Sequence, residues 1–247
     1  MKALITAAGL GTRMGTLVKN TNKCLLPVGN KSLIKCSVDN FKMQGIDDIH
    51  IITGHYAHLI KQELSGKANL IYNKDYASTS ILGSIILARQ QLQDSEFIFM
   101  TGDSLIHYSL IEKMIANKNK GDILVSIDAK KCDEEDMKVI VEQEVIINIS
   151  KSIPVHLANG EYTSLTYFSS KASRRFFDLI YKYLKKEEKK YVAEILLELQ
   201  KEGLRLIPVY TEQLPRIELD YPDDFLNANK MVQEFPDLIY NPNVSKD

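Results

Sequence analysis

Lys2-Ala3-Leu4-Ile5-Thr6-Ala7-Ala8-Gly9-Leu10-Gly11-Thr12-Arg13-Met14-Gly15 is the stretch on which the reading of this chain turns. Residues 2–7 read as a short buried strand. The glycines after it let backbone N–H groups come close to phosphate oxygens. A strand end followed by such a loop is where open α/β sheets bind ligands. Three phosphate-binding patterns compete for it. The dinucleotide fingerprint Gly-x-Gly-x-x-Gly fails, because Met14 stands at its last position and Gly15 comes one residue late. The strand that should end in a ribose-binding acid ends instead in Thr53-Gly54-His55-Tyr56. The P-loop pattern, which needs Gly-Lys-Ser/Thr after its spacer, is absent. The third pattern, Gly-x-Gly-Thr-Arg with a lysine shortly after, is met by Arg13 and Lys23. A tight turn would also use the glycines, but it would leave the joint placement of Arg13 and Lys23 unexplained.

Outward from this loop, apolar spacing predicts helices over 31–44, 57–64, 81–92 and 109–117. Near-continuous apolar runs predict strands over 48–53, 69–72, 97–101 and 122–128. This alternation argues for a Rossmann-like α/β fold, a mostly parallel sheet with helices on both faces. The rhythm then changes. Residues 138–141 and 145–149 read as a hairpin turning near Gln143-Glu144, and 161–169 as a further strand. Helices follow over 172–184 and 191–201, then a strand over 206–210 and a helix over 225–234. Residues 1–240 are expected to form a single domain in two halves, 1–130 and 131–240, divided where the rhythm changes, with 241–247 as a frayed tail.

Bulk composition narrows the function. A formal net charge of −1 gives no basic field for a nucleic-acid backbone. An anionic substrate must then be held by local groups. Cys24, Cys36 and Cys132 are odd in number and fit no metal-ligand spacing, so reduced thiols and a cytoplasmic location are expected. No apolar run is long enough for a signal segment or a membrane span. His55 and His58 adjoin one helix start without a third ligand at a recognisable spacing.

Four segments together carry a family resemblance: Ala7 to Met14, Lys23-Cys24-Leu25-Leu26-Pro27-Val28, Gly102-Asp103, and Ile217-Glu218-Leu219-Asp220-Tyr221-Pro222-Asp223-Asp224. In this the chain resembles the nucleotidyltransferases that activate sugar 1-phosphates and phospho-alcohols. Within them it looks most like the cytidylyltransferases acting on phosphocholine, inositol phosphate or phosphonates. The resemblance implies a glycosyltransferase-A-like nucleotidyltransferase fold and a mixed sheet, with 1–130 as the nucleotide-binding half and 131–240 as the acceptor-binding half. It implies Mg²⁺ held by Asp103 and Asp220, with Arg13 and Lys23 as the catalytic cations on the nucleotide phosphates. Nucleotide binding would involve Ala7, Ala8, Gly9, Gly11, Thr12, Thr79, Ser80 and Asp103 as well. The partners implied are CTP and a small phosphorylated or phosphonate acceptor, with a homodimer as the family's common assembly.

The chain departs from the family at three places. Thr79-Ser80 stands where Thr-Asn is common, and a helix N-cap is an equal reading of it. Asn22 replaces the usual proline before the lysine and is expected to loosen the loop. Ser164 replaces a glycine and puts the shape of the acceptor pocket in question. Lys138, Lys151, Glu161 and Ser164 are the expected acceptor contacts, with the lysines for a phosphate and Glu161 for an amine. Asp223 is expected to cap the helix after it. Sugar-1-phosphate uridylyl- or thymidylyltransferases share almost the same motifs, and a non-catalytic nucleotide-binding subunit would keep the same fold.

Overall fold

In the computed structural model, which describes residues 1–188 and 190–239, the first strand β1 (Lys2–Ala7) lies inside the sheet, with Leu4 and Ile5 fully buried. The other strands are β2 (Pro27–Val28), β3 (Lys31–Ser32), β4 (Ile49–Thr53), β5 (Asn69–Tyr72), β6 (Phe97–Thr101) and β7 (Ser104–Ile106). They continue with β8 (Ile123–Asp128), β9 (Lys138–Glu142), β10 (Val145–Ser150), β11 (Gly160–Phe168), β12 (Leu206–Tyr210) and β13 (Arg216–Glu218). The helices are α1 (Leu33–Met43), α2 (Ala57–Leu64), α3 (Ile81–Ile85), α4 (Arg89–Leu92), α5 (Tyr108–Asn117), α6 (Ser170–Lys185), α7 (Val192–Lys201) and α8 (Pro222–Glu234). The tail expected from Asn241 lies outside the described residues.

Nine strands form one sheet whose main path runs β10-β9-β11-β6-β1-β4-β5, with β8 joining β11 and β12 joining β8. The pairings β1–β4, β1–β6, β4–β5 and β8–β12 are parallel. Strands β11 and β10 run against the rest, so the sheet is mixed but mostly parallel. Its two faces are covered separately. Leu4, Ile52, Phe97 and Phe99 pack with Leu82, Phe176 and Leu196 on one side. Ala3, Ile5, Ile51 and Met100 pack with Val38, Ile60 and Ile111 on the other. The central strands β1 and β6 are thus apolar on both faces, as their unbroken apolar sequences required.

Strand β11 bends midway. Its register jumps between Tyr162 and Thr166, and Ser164 there adopts φ +58°. Residues 166–168 pair with β6, whereas Gly160 and Glu161 pair with β9. The left-handed backbone at Ser164 is one that glycine adopts without strain. In the β9–β10 hairpin, Gln143 and Glu144 both have positive φ, the geometry of a type I′ turn.

The helix expected over 81–92 is broken by a 3-10 turn at Ile86–Ala88. Its buried positions explain this. Leu82, Ile85 and Ala88 are spaced by three, which suits three residues per turn, and Leu92 follows at four. The expected loosening at Asn22 is also corrected. Asn22 is 1% exposed, and its Nδ2 donates to the carbonyls of Ala7 (3.2 Å), Gly9 (3.4 Å) and His55 (2.9 Å). Its Oδ1 accepts from the Cys24 N–H at 2.9 Å. One side chain thereby ties the glycine loop, the end of β4 and the Lys23 segment together. At α8 the cap is Asp224 rather than Asp223, since its carboxylate accepts from the N–H groups of Asp220 and Tyr221.

Candidate active site

The chain leaves β1 on one side toward β4 and β5, and β6 then docks on the other side of β1. This reversal creates a crevice at the carboxyl ends of β1 and β6, the usual ligand position in such sheets. Thr6 pairs with Thr101 across it, and Gly102 N–H donates to Thr6 O at 2.9 Å. A Cβ at Gly102 would lie 2.8 Å from Thr6 O, so glycine is needed for this close approach. Asp103 follows at the lip. β13 pairs antiparallel with β7, and Leu219 N–H donates to Asp103 O at 2.9 Å. That small ribbon carries Asp220 to Asp103 from the far end of the chain.

Lys23 reaches the same point. Its Nζ lies 2.7 Å from Asp103 Oδ2 and 3.2 Å from Asp220 Oδ1, and donates to Leu219 O at 2.9 Å. Burial opposes the charge on Lys23, but Asp103 and then Asp220 hold its proton well above the ordinary lysine range. A Cβ on Gly11 would sit 3.3 Å from Lys23 Cβ, and Gly11 has φ +64°. The glycine therefore both makes the turn and leaves room for the lysine stem. Arg13 is more exposed, with its guanidinium 3.8 Å from Asp220 and 5.9 Å from the Tyr221 ring centroid.

Two cavities open from this cluster, sharing Ile81 and Thr101 in their walls. The smaller, about 220 Å³, is lined by Ala7, Ala8, Gly9, Lys23 and Asp103 at one part of its wall, and by Thr79, Ser80 and Ser84 at another. Ser80 also accepts from Gly83 N–H at 3.2 Å as the N-cap of α3. Thr12 is exposed at the start of a 3-10 turn and lines neither cavity.

The larger cavity, about 350 Å³, is strongly acidic. Asp133, Glu135, Asp136, Glu161, Glu218 and Asp220 line it, against Arg13 and Lys151. Tyr162, Tyr191 and Tyr221 add aromatic walls. Lys151 pairs with Glu135 at 3.4 Å. Glu161 is engaged by Lys130 at 3.1 Å and by Arg216. Ser164 lines the cavity from the bend in β11. Lys138 does not line it, which corrects the expected acceptor contact. Lys138 is fully buried, and its Nζ donates to the carbonyls of Asp133 (3.0 Å), Glu134 (2.9 Å) and Asp136 (3.2 Å). Its alternate position along β9 turns it inward beneath the acidic loop.

Sequence reasoning missed Glu218. Burial pushes its carboxyl up to about 7, Asp103, Asp220 and Glu161 add to the rise, and Arg216 opposes it. Thr101 and Ser104 donate to its Oε1 at 3.2 and 3.4 Å. Its place directly before Leu219-Asp220 was the available signal. Asn73 and Ser84 carried no sequence signal at all.

A crevice at the sheet reversal, two cations facing two carboxylates, and paired cavities make a site suited to anionic ligands on an α/β sheet. Residues 3–199 match the MobA-like NTP transferase domain, and the chain belongs to that family. It is 37% identical over 101 residues to the choline-phosphate cytidylyltransferase of Streptococcus pneumoniae, covering 40% of this chain and 43% of that one. It is 26% identical over 121 residues to the CMP-5'-(3-aminopropyl)phosphonate synthase of Streptomyces rubellomurinus, covering 47% and 19%. These matches span less than half the length of either relative. Glucose-1-phosphate uridylyl- and thymidylyltransferases match over comparable stretches. Among solved structures, the inositol-1-phosphate CTP transferase from T. maritima superposes with a TM-score of 0.78 at 18% identity, over 94% of this chain and 96% of that one. That likeness bears on the fold. No helix among the described residues is long and apolar enough to cross a membrane.

Proposed function

We propose that the protein transfers CMP from CTP to the phosphate or phosphonate of a small acceptor that also carries a positive charge. Supporting this is a cavity lined by the glycine loop, Lys23 and Asp103 that adjoins, across Ile81 and Thr101, an acidic, aromatic-walled one lined by Arg13 and Asp220. An ammonium group is favoured by the surplus of carboxylates and by the tyrosine faces. The acceptor's phosphate oxygen attacks the α-phosphorus of the nucleotide. A new P–O bond forms, the bond to the bridging oxygen breaks, and pyrophosphate leaves. The nucleophile is already ionised at neutral pH, so positioning and charge neutralisation carry the catalysis.

Lys23 suits the α-phosphate, and Arg13, with its planar fork and freedom to move, suits the β- and γ-phosphates. Asp103 Oδ1 is buried without a hydrogen-bond partner among the described residues, and Asp220 faces it across Lys23. These hard oxygens fit a Mg²⁺ ion completed by phosphate oxygens. Bound there, the ion would neutralise phosphate charge.

The test is pyrophosphate release with Mg²⁺, each common nucleoside triphosphate, and a panel of acceptors. The panel is phosphocholine, phosphoethanolamine, 2-aminoethylphosphonate, inositol phosphate, glycerol phosphate and glucose 1-phosphate. Release is expected with CTP and one of the ammonium-bearing acceptors, and Asp103→Ala should abolish it. Lys23→Met should lower kcat by roughly 10²–10³, as loss of a transition-state charge contact does. Turnover confined to UTP or dTTP with glucose 1-phosphate would move the protein to the sugar branch.

A further inference from the structure

Behind the wall of the nucleotide cavity lies Asn73, 2% exposed. Its orientation is fixed by the backbone. Asp75 N–H donates to Asn73 Oδ1 at 3.0 Å, so the amide nitrogen must point the other way. That nitrogen donates its two protons to Thr79 Oγ1 at 2.9 Å and Ser84 Oγ at 3.0 Å. Both hydroxyls line the cavity.

A hydroxyl has one proton and two lone pairs. Thr79 gives its proton to Asp75 O at 3.1 Å and accepts from Asn73, so it has only a lone pair left to offer. Ser84 Oγ makes its hydrogen bond among the described residues with Asn73, as an acceptor, so its own proton is left for the cavity. The wall therefore presents an acceptor at Thr79 and a donor at Ser84. Both sit within hydrogen-bond distance of one nitrogen, so the edge of a single base can meet both. Cytosine carries an exocyclic amino donor beside the N3 acceptor, whereas uracil carries a carbonyl acceptor beside an N–H donor.

We propose that Asn73 is a specificity-positioning residue. It never touches the nucleotide, but it fixes Thr79 and Ser84 in the hydrogen-bond polarity that accepts cytosine and rejects uracil. The assignment rests on the reading of this cavity as a nucleoside triphosphate site, with the base seated against Thr79 and Ser84.

The test is calorimetric binding of CTP and of UTP, which needs no acceptor. Wild type is expected to prefer CTP. In Asn73→Asp the introduced carboxylate can only accept, so Ser84 must donate to it and turn a lone pair to the cavity. The ratio of CTP to UTP affinity should fall about tenfold, with unchanged circular dichroism. Ser84→Ala should lower the same ratio, and the double variant should lose little more. A folded Asn73→Asp that keeps the wild-type ratio, or weakens both nucleotides equally, overturns the assignment. If Asn73→Asp does not fold, a wild-type ratio in Ser84→Ala does so instead. Failure of the wild type to bind any nucleoside triphosphate would sink the nucleotidyltransferase reading itself, and this assignment with it.

Discussion

Glu218 brings a third carboxyl up to Asp103 and Asp220, at the boundary of the two cavities. Its proton is held more tightly in the folded chain than in the unfolded one, from an ordinary 4.5 up to about 7. Between those values the folded state binds more protons, so the free energy of unfolding falls as pH rises through the window. The contribution is fully present below 4.5 and lost above about 7. Glu218→Gln keeps the shape and removes the titration. In EDTA, the Tm of wild type should fall between pH 4.5 and 7.5 by a few degrees more than that of the variant. Parallel melting curves would show that burial and the neighbouring acids do not load this group. At the same scale, Arg13 and Lys23 stood out by their spacing after the glycine loop, and Asp103 and Asp220 by the family resemblance alone; the fold brings all four together. The companions Asn22, Asn73 and Glu218 did not stand out, since each acts on backbone carbonyls, hydroxyls or acids that only the fold brings near.

Elements longer than about five residues could be read directly, because burial on one or both faces stamps a period on the sequence. β2, β3, β7 and β13 are too short to carry a period, and β7 with β13 exists only as a long-range pair. That missing ribbon is what brings Asp220 to Asp103, so the pair proposed to hold Mg²⁺ was open to the sequence as residues but not as geometry. The acidic loop before β9 is a comparable case. Three of its carbonyls converge on the buried ammonium of Lys138. Lys138→Met leaves them unpaired and should cost about 1–3 kcal/mol. The damage is expected in the loop that carries Asp133, Glu135 and Asp136. KM for the acceptor should therefore rise severalfold while CTP affinity stays near wild type. An equal loss of both would mean the loop is not a separate element.

The residues lining the smaller cavity all fall before position 130, where the sequence was divided into halves. The sheet does not respect that division. β11, from the second half, lies between β6 and β8, which both belong to the first. A fragment of residues 1–130 should therefore fail to fold, giving a collapsed or aggregated species by circular dichroism and size-exclusion chromatography. A monomeric fragment with a cooperative melt would contradict this. The same threading bears on the order of synthesis. A ribosome delivers β6 and β8 well before Thr166, Tyr167 and Phe168 arrive to sit between them. Throughout that interval the nascent chain presents β6 as a bare strand edge, with its row of unpaired N–H and C=O groups open to any neighbour. Expression speed and chaperone supply, rather than the stability of the finished molecule, should then govern how much of this protein a cell recovers intact.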